Sequence, residues 1–211
     1  MNIADMRRDY LMKPFNEMDA KEDAMEQFHL WFEEAVQAEV PEPNAMTLAT
    51  ASLNGRPSAR IVLLKGATSE GFVFFTNYES RKAQEMAVNP QAALVFSWLE
   101  LARQVRIDGT IQKISKEESE NYFYSRPFTS QVSALISPQS KVIQSKEPLE
   151  SLHQRLVAQY EGGKVPFPEN WGGYLLTPNE IEFWQGRASR FHDRLHYLKT
   201  ATGWKRERLA P

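Results

Sequence analysis

From Ala45 onward the chain is written in short runs that alternate apolar with polar or small residues, separated by tight-turn residues. AMTLATA (45–51) leads through Asn54-Gly55 into PSARIVLLK (57–65), and Asn-Gly between two such runs is a strong hairpin signal. GFVFFTN (71–77), full of aromatic and β-branched residues, is a third strand, and QAALVFSWL (91–99) and ARQVRIDGTIQKI (102–114) make two more. GGYLLTP (172–178), EIEFWQG (180–186), RFHDRLHYLK (190–199) and, after Thr202-Gly203, WKRERL (204–209) complete the set. Side chains that alternate with period two can bury only one face of a sheet, so strands this numerous must curl around a shared core. The expected class is mainly β with peripheral α-helices, an antiparallel barrel with the helices outside it.

Helical periodicity is confined to a few segments. Met25, Phe28, Trp31, Phe32, Ala35 and Val36 form one apolar stripe, with Asp19 and Asp23 as candidate caps and Pro41 and Pro43 beyond its end. Residues 80–88 read as a short helix capped by Ser80. Ser115-Lys116-Glu117-Glu118 is a capping box that opens a helix running to Arg126-Pro127. A Ser/Gln-rich loop is expected next, then a helix around Leu149, Leu152, Leu156 and Tyr160 that Gly162-Gly163 ends. With no linker, repeat or low-complexity tract, residues 1–211 read as one domain, with 1–18 as an arm.

Composition removes several classes of chemistry. The 211 residues include no cysteine, so disulfides, thiolate catalysis and Cys-ligated metals are out. The four histidines lack metal-site spacing, and no metal is expected. A net charge of −2 offers no general field for nucleic acid or membrane, so any anion must be bound by a local cluster. No apolar run approaches the roughly 20 residues of a membrane helix, and the N-terminus lacks a signal-like stretch; the cytoplasm is the expected location.

Four clusters supply cations. Strand alternation puts Arg60 with Val62 and Leu64 on one face and Lys65 with Ile61 and Leu63 on the other. The two charges are either solvated or serve different ligand groups. Ser80-Arg81-Lys82 stands at a helix start, where backbone N–H groups and the helix dipole favour a phosphate; a capped surface helix is the alternative. Tyr122, Arg126 and Ser130 combine an arginine fork with two hydroxyls across a helix end; a phosphate clamp and a carbonyl-satisfying arginine are both open. Arg190, His192 and Arg194, read as a strand, point to one face at intervals of roughly 6.5–7 Å; the row either faces an anion or electron-rich ring or is a solvated barrel face.

Taken in order, ARIVLLK, FFTN…SRKA, Arg103-Gln104-Val105, YFYSRP, SPQS, IEFWQG and RFHDR resemble the pyridoxine/pyridoxamine 5′-phosphate oxidase family. The resemblance runs from about Arg7 to the C-terminal LAP. It implies an FMN-binding split barrel that dimerises with flavin at the subunit interface. Arg60, Ile61, Val62, Leu63, Leu64 and Lys65 would line the flavin, Arg81 and Lys82 would hold its phosphate, and Phe75, Thr76 and Gln104 would contact it. Gln139, Ser140, Trp184 and Arg194 would approach across the interface. Lys65, Tyr122, Arg126 and Ser130 would hold the substrate phosphate, and Arg190 and His192 would flank its ring as the catalytic pair. Arg7, Arg8, Asp9 and Tyr10 would form a lid. Phe75 stands where family members often carry Tyr. The implied activity is oxidation of vitamin B6 phosphates with oxygen as acceptor; a non-catalytic flavin or pyridoxal phosphate carrier on the same fold is the alternative.

Overall fold

The structure, a computed structural model, describes residues 13–211. Nine strands form one sheet: β1 (Ala45–Ala51), β2 (Pro57–Leu63), β3 (Gly66–Thr68), β4 (Gly71–Asn77), β5 (Gln91–Trp98), β6 (Arg103–Lys113), β7 (Trp171–Gln185), β8 (Asp193–Thr200) and β9 (Gly203–Arg208). All pairings are antiparallel, in the order β2-β1-β5-β6-β7-β4-β3, with β8 and β9 continuing from β7. The sheet curls until the Lys65 N–H, just past β2, donates to the Val73 carbonyl of β4 at 2.8 Å. This is the antiparallel barrel that the strand runs imply, split as the family resemblance implies.

The split has a local cause. β6 occupies one edge of β7 along residues 174–185, while the other edge is shared by β4 (171–176) and β8 (180–185). The changeover falls at Thr177-Pro178-Asn179, opposite a register shift between Asp108 and Gly109. Pro178 has no N–H to give a ladder, so it belongs at such a bulge. A Cβ on Gly109 would run into the Thr177 carbonyl oxygen, which leaves glycine as the residue that fits. The sequence expectation of two strands here, 172–178 and 180–186, is therefore corrected: the chain bends and changes neighbour without leaving the sheet.

One expectation holds in detail and two further ones change. The Asn54-Gly55 hairpin closes between Ser52 and Arg56, with Gly55 alone at positive φ (+80°), because a type I turn plus one left-handed residue links the strands. Residues 128–136, expected as loop, form a helix. Phe128, Val132 and Leu135 keep a helical spacing that the intervening Ser and Gln residues obscure. Arg190 and His192 precede β8 rather than lying on it. Ser189 and Arg190 adopt positive φ (+55° and +63°) in a 3-10 turn, so Arg190, His192 and Arg194 do not form one strand-face row.

The helices are α1 (Ala24–Gln37), α2 (Arg81–Val88), α3 (Lys116–Ser125), α4 (Phe128–Ile136) and α5 (Glu147–Tyr160). Of the two candidate caps for α1, Asp23 accepts from the N–H groups of Met25 and Glu26. The helix buries Phe28 and Trp31 against the sheet: Phe28 meets Phe72 edge-on at 4.8 Å, and Trp31 meets Phe183 at 5.3 Å. Side chains of this size, fully buried, contribute roughly 1.5–3 kcal/mol each. A second apolar cluster holds α3 and α4 through Phe123, Val132, Val165 and Trp171. That cluster positions the cleft described next.

Candidate active site

A cleft of about 510 Å³ lies between the end of β2, β4, α2 and the α3–α4 junction. Arg60, Ile61, Val62, Leu63 and Lys65 line one wall, with Phe75, Thr76, Lys82 and Gln139 beside them. Tyr122, Arg126, Pro127, Ser130 and Trp171 form the opposite part. Four cations thus border a space whose lining includes no carboxylate, and the fitting ligand is anionic. Strand alternation does hold along β2: Ile61 and Leu63 are exposed while Arg60 and Val62 are half-buried. The curl of the sheet nevertheless brings Arg60 and Lys65 to the same cleft.

Arg60 is held by a buried carboxylate. Its Nη2 donates to Glu85 Oε2 (3.3 Å) and Ser58 Oγ (2.6 Å), and its Nη1 to Thr50 Oγ1 (2.6 Å) and the Leu48 carbonyl (3.2 Å). Glu85 also accepts from Thr50, Ser58 and Arg81. Burial alone would raise the Glu85 carboxyl, but the hydrogen bonds from Ser58, Thr50 and Arg81 hold it at about 2. Arg81 is half-exposed, bound through Nε to Glu85 at 2.8 Å, and is not part of the cleft lining.

Lys82 differs. Its ammonium donates to neutral oxygens, Gln139 Oε1 (2.7 Å), Thr76 Oγ1 (3.0 Å) and Ser80 Oγ (3.5 Å). Burial, then the nearby Arg60 charge, pushes its pKa down. A cation so placed gains from an arriving phosphate, which restores the charge balance that burial removed. Gln139 lies in the cleft of its own chain, whereas the family resemblance has it approach from a partner.

At the other part of the cleft Arg126 caps α3, and its guanidinium carbon lies 4.8 Å from the Trp171 ring centre. Its Nη1 is buried with no hydrogen-bond partner. Burial pushes its pKa down, against the opposing influence of Tyr122, although a guanidinium stays charged at neutral pH. An orphaned buried donor is costly unless a ligand completes it. Ser130 stands in the first turn of α4, and Tyr122 stacks on Phe75 at 3.8 Å.

The remaining candidates sit elsewhere. Leu64 turns into the core at 7% exposure. Ser140 follows Gln139 with positive φ (+70°) and does not line the cleft. Gln104, Trp184 and Arg194 fall opposite one another across β6, β7 and β8. His192 packs against Trp184 at 4.6 Å, and its Nδ1 accepts the Arg187 N–H. Burial, then Arg190, pushes the His192 pKa down. Arg194 donates to Glu182 at 2.7 Å, and that bond raises its pKa. This group lies toward the far end of β7 from the cleft, with Trp171 at the start of the strand and Trp184 thirteen residues on. At about 3.3 Å per residue that is roughly 40 Å of strand. Arg7, Arg8, Asp9 and Tyr10 lie outside the described residues. Sequence reasoning missed Glu85 and Trp171. The i,i+4 spacing of Arg81 and Glu85 was a signal for the first, and no local pattern marks the second.

Comparison with known proteins gives the same outline. A family model described as pyridoxamine 5′-phosphate oxidase matches residues 32–158, and one described as pyridoxine 5′-phosphate oxidase C-terminal dimerisation region matches 171–211. A pyridoxine/pyridoxamine 5′-phosphate oxidase of Trichormus variabilis is 53% identical over 99% of this chain and 98% of its own length. The protein of that name from Burkholderia orbicola is 55% identical, covering 99% of each chain. Among solved structures, PhzG of Burkholderia lata, in complex with tetrahydrophenazine-1-carboxylic acid, aligns with a TM-score of 0.89 at 29% identity, over 95% of this chain and 99% of that one. No helix among the described residues is long and apolar enough to cross a membrane. On the strength of these matches along nearly its whole length, the chain belongs to the pyridoxamine 5′-phosphate oxidase family.

Proposed function

We propose that this protein oxidises pyridoxamine 5′-phosphate and pyridoxine 5′-phosphate to pyridoxal 5′-phosphate, using FMN and passing the electrons to oxygen to give hydrogen peroxide. The observation that carries the reading is the carboxylate-free cleft, with Lys82 and Arg60 at one part and the orphaned Arg126 Nη1 at another. Two separate cationic groups suit two phosphates, one on a mononucleotide and one on a small substrate.

Bound FMN would supply the two-electron acceptor for the hydrogen leaving substrate C4′. Lys82, Arg60, Thr76 and Gln139 would hold the cofactor. Arg126, Lys65, Tyr122 and Ser130 would grip the substrate phosphate and so fix where C4′ lies. His192 and Arg190 would flank the substrate ring from a partner subunit, where Trp184, Gln104 and Arg194 also approach the flavin. A carboxylate ligand such as the one bound to PhzG lacks the phosphate that Arg126, Tyr122 and Ser130 would clamp together.

The direct test is spectroscopic. Purified protein should show a flavin spectrum, release FMN and no FAD on heating, and bleach when pyridoxamine phosphate is added without oxygen. Admitting oxygen should restore the colour with one peroxide formed per substrate. A flavin that pyridoxamine phosphate leaves oxidised would overturn the assignment.

The separation of the two groups along β7 leads to a second expectation. Lys82→Ala and Arg194→Ala should each impair the enzyme, in different halves of a shared site. In a mixed dimer one site carries both lesions and the other neither. Statistical reassortment of the pair should then recover about a quarter of parental activity. Recovery from mixing Lys82→Ala with Arg126→Ala should be absent, since both lie in the same cleft. Equal recovery in both mixtures would refute a site built from two chains.

A further inference from the structure

We propose that Trp171 is a positioning residue that presets Arg126 for a phosphomonoester dianion. The inference rests on the substrate reading above and adds to it a residue outside the clamp.

Three other half-buried arginines are held by carboxylates, Arg60 by Glu85, Arg103 by Glu34 and Arg194 by Glu182, and Arg206 is held by the carbonyls of Ala20 and Lys21. Among the described residues Arg126 has no such partner. The ring of Trp171 lies 4.8 Å from its guanidinium carbon. The difference has a chemical consequence. A carboxylate would occupy the in-plane N–H donors and neutralise the charge, and an arriving phosphate would have to displace it. An aromatic face attracts the cation through its quadrupole and leaves the in-plane donors open. The buried, unpartnered Nη1 is one such donor.

The indole is itself held from several sides. It is 7% exposed, stacks on Phe75 at 5.4 Å with planes 16° apart, and meets the edge of Phe123 at 5.5 Å. Phe75 in turn stacks on Tyr122 at 3.8 Å. The backbone of Trp171 is fixed as the first residue of β7, paired with Asn77 of β4. On the Arg126 side, the backbone N–H donates to Phe123, and the Gln131 amide donates to the Arg126 carbonyl at 2.8 Å. Only the guanidinium end is left to be oriented, and Trp171 is what it rests on.

The test is a double-mutant cycle on the FMN-loaded enzyme. Trp171→Leu should raise KM for pyridoxamine phosphate about tenfold, with kcat within about twofold and normal flavin content. Trp171→Phe, which keeps a weaker π face, should raise KM by about twofold to threefold. In an Arg126→Ala background, either Trp171 change should leave KM within about twofold, because the group it positions is gone. If Trp171→Leu does not yield folded holoenzyme, Trp171→Phe completes the same cycle. A change in KM that persists undiminished without Arg126, or a loss of kcat or flavin with KM unchanged, would overturn the proposal. A parent enzyme inactive on pyridoxamine phosphate would instead overturn the functional reading beneath it.

Discussion

Replacing Arg126 with alanine is expected to raise KM for the phosphorylated substrate by about 10- to 150-fold, the equivalent of the roughly 1.5–3 kcal/mol of a charge-assisted hydrogen bond. The expectation follows from a guanidinium that is half-buried, unpaired by any described carboxylate and left with an orphaned Nη1. Substrate binding supplies the acceptor that folding does not. Flavin content should stay at the parental level, because Arg60, Lys82, Thr76 and Gln139 are untouched. Steady-state kinetics with parallel flavin absorbance separates the two effects. Kinetics equal to those of the parent would mean that Arg126 serves only the end of α3.

Glu85→Ala should give the largest loss of stability of any single change near the cleft. The carboxylate accepts from Thr50, Ser58, Arg60 and Arg81, and its removal leaves the Arg60 charge without its counter-ion and two hydroxyls without their shared carboxylate acceptor. Breaking a buried ion pair costs about 3–5 kcal/mol. Arg60 keeps 22% of its side chain exposed, so water softens the loss and the low end, about 3 kcal/mol, applies. For a chain of this size that lowers Tm by about 6–12 °C. The effect has a defined pH dependence. The folded carboxyl sits at about 2, below its ordinary 4.5, so its stabilising contribution is complete above about pH 4.5. It declines as the pH falls toward 2 and the group takes up a proton. Calorimetry of Glu85→Ala beside the parent at pH 7 and pH 3 should show the gap narrowing at the lower pH. A gap that does not narrow would mean that packing, and not the ionised carboxylate, stabilises this corner. Weaker flavin retention should accompany the change, since Arg60 loses its anchor.

Much of this protein is legible in order along the chain because the signals are local. The Ser115–Glu118 capping box closes within one turn, and both of its hydrogen bonds form as the spacing implies. The stripe of Met25, Phe28 and Trp31 needs only helical periodicity to identify a buried face. Alternation along 45–51 likewise defines which side of that strand faces inward, and aromatic and β-branched content marks 71–77 as a strand. Residues 128–136 are the instructive failure. Their serines and glutamine favour loops in isolation, and the helix forms because Val132 packs beside Phe123 and Trp171, partners supplied by distant segments.

The site divides in the same way. Sequence by itself determined which residues carry charge, that no thiol chemistry is available, and that Tyr122, Arg126 and Ser130 gather at one helix junction. Only the tertiary structure decided that Arg60 and Lys65 share a cleft despite alternating along β2, because alternation is a property of a flat strand and this sheet curls. It also decided that Arg190 and His192 leave the strand that carries Arg194, through two left-handed residues that a β pattern cannot anticipate. Most of all, it decided the partners of the charges. Glu85 beneath Arg60 and Trp171 beneath Arg126 lie 25 and 45 positions away along the chain, and no local rule reaches that far. Backbone periodicity is set by neighbours within a few residues, whereas the environment of a cation is set by whatever the folded chain brings next to it.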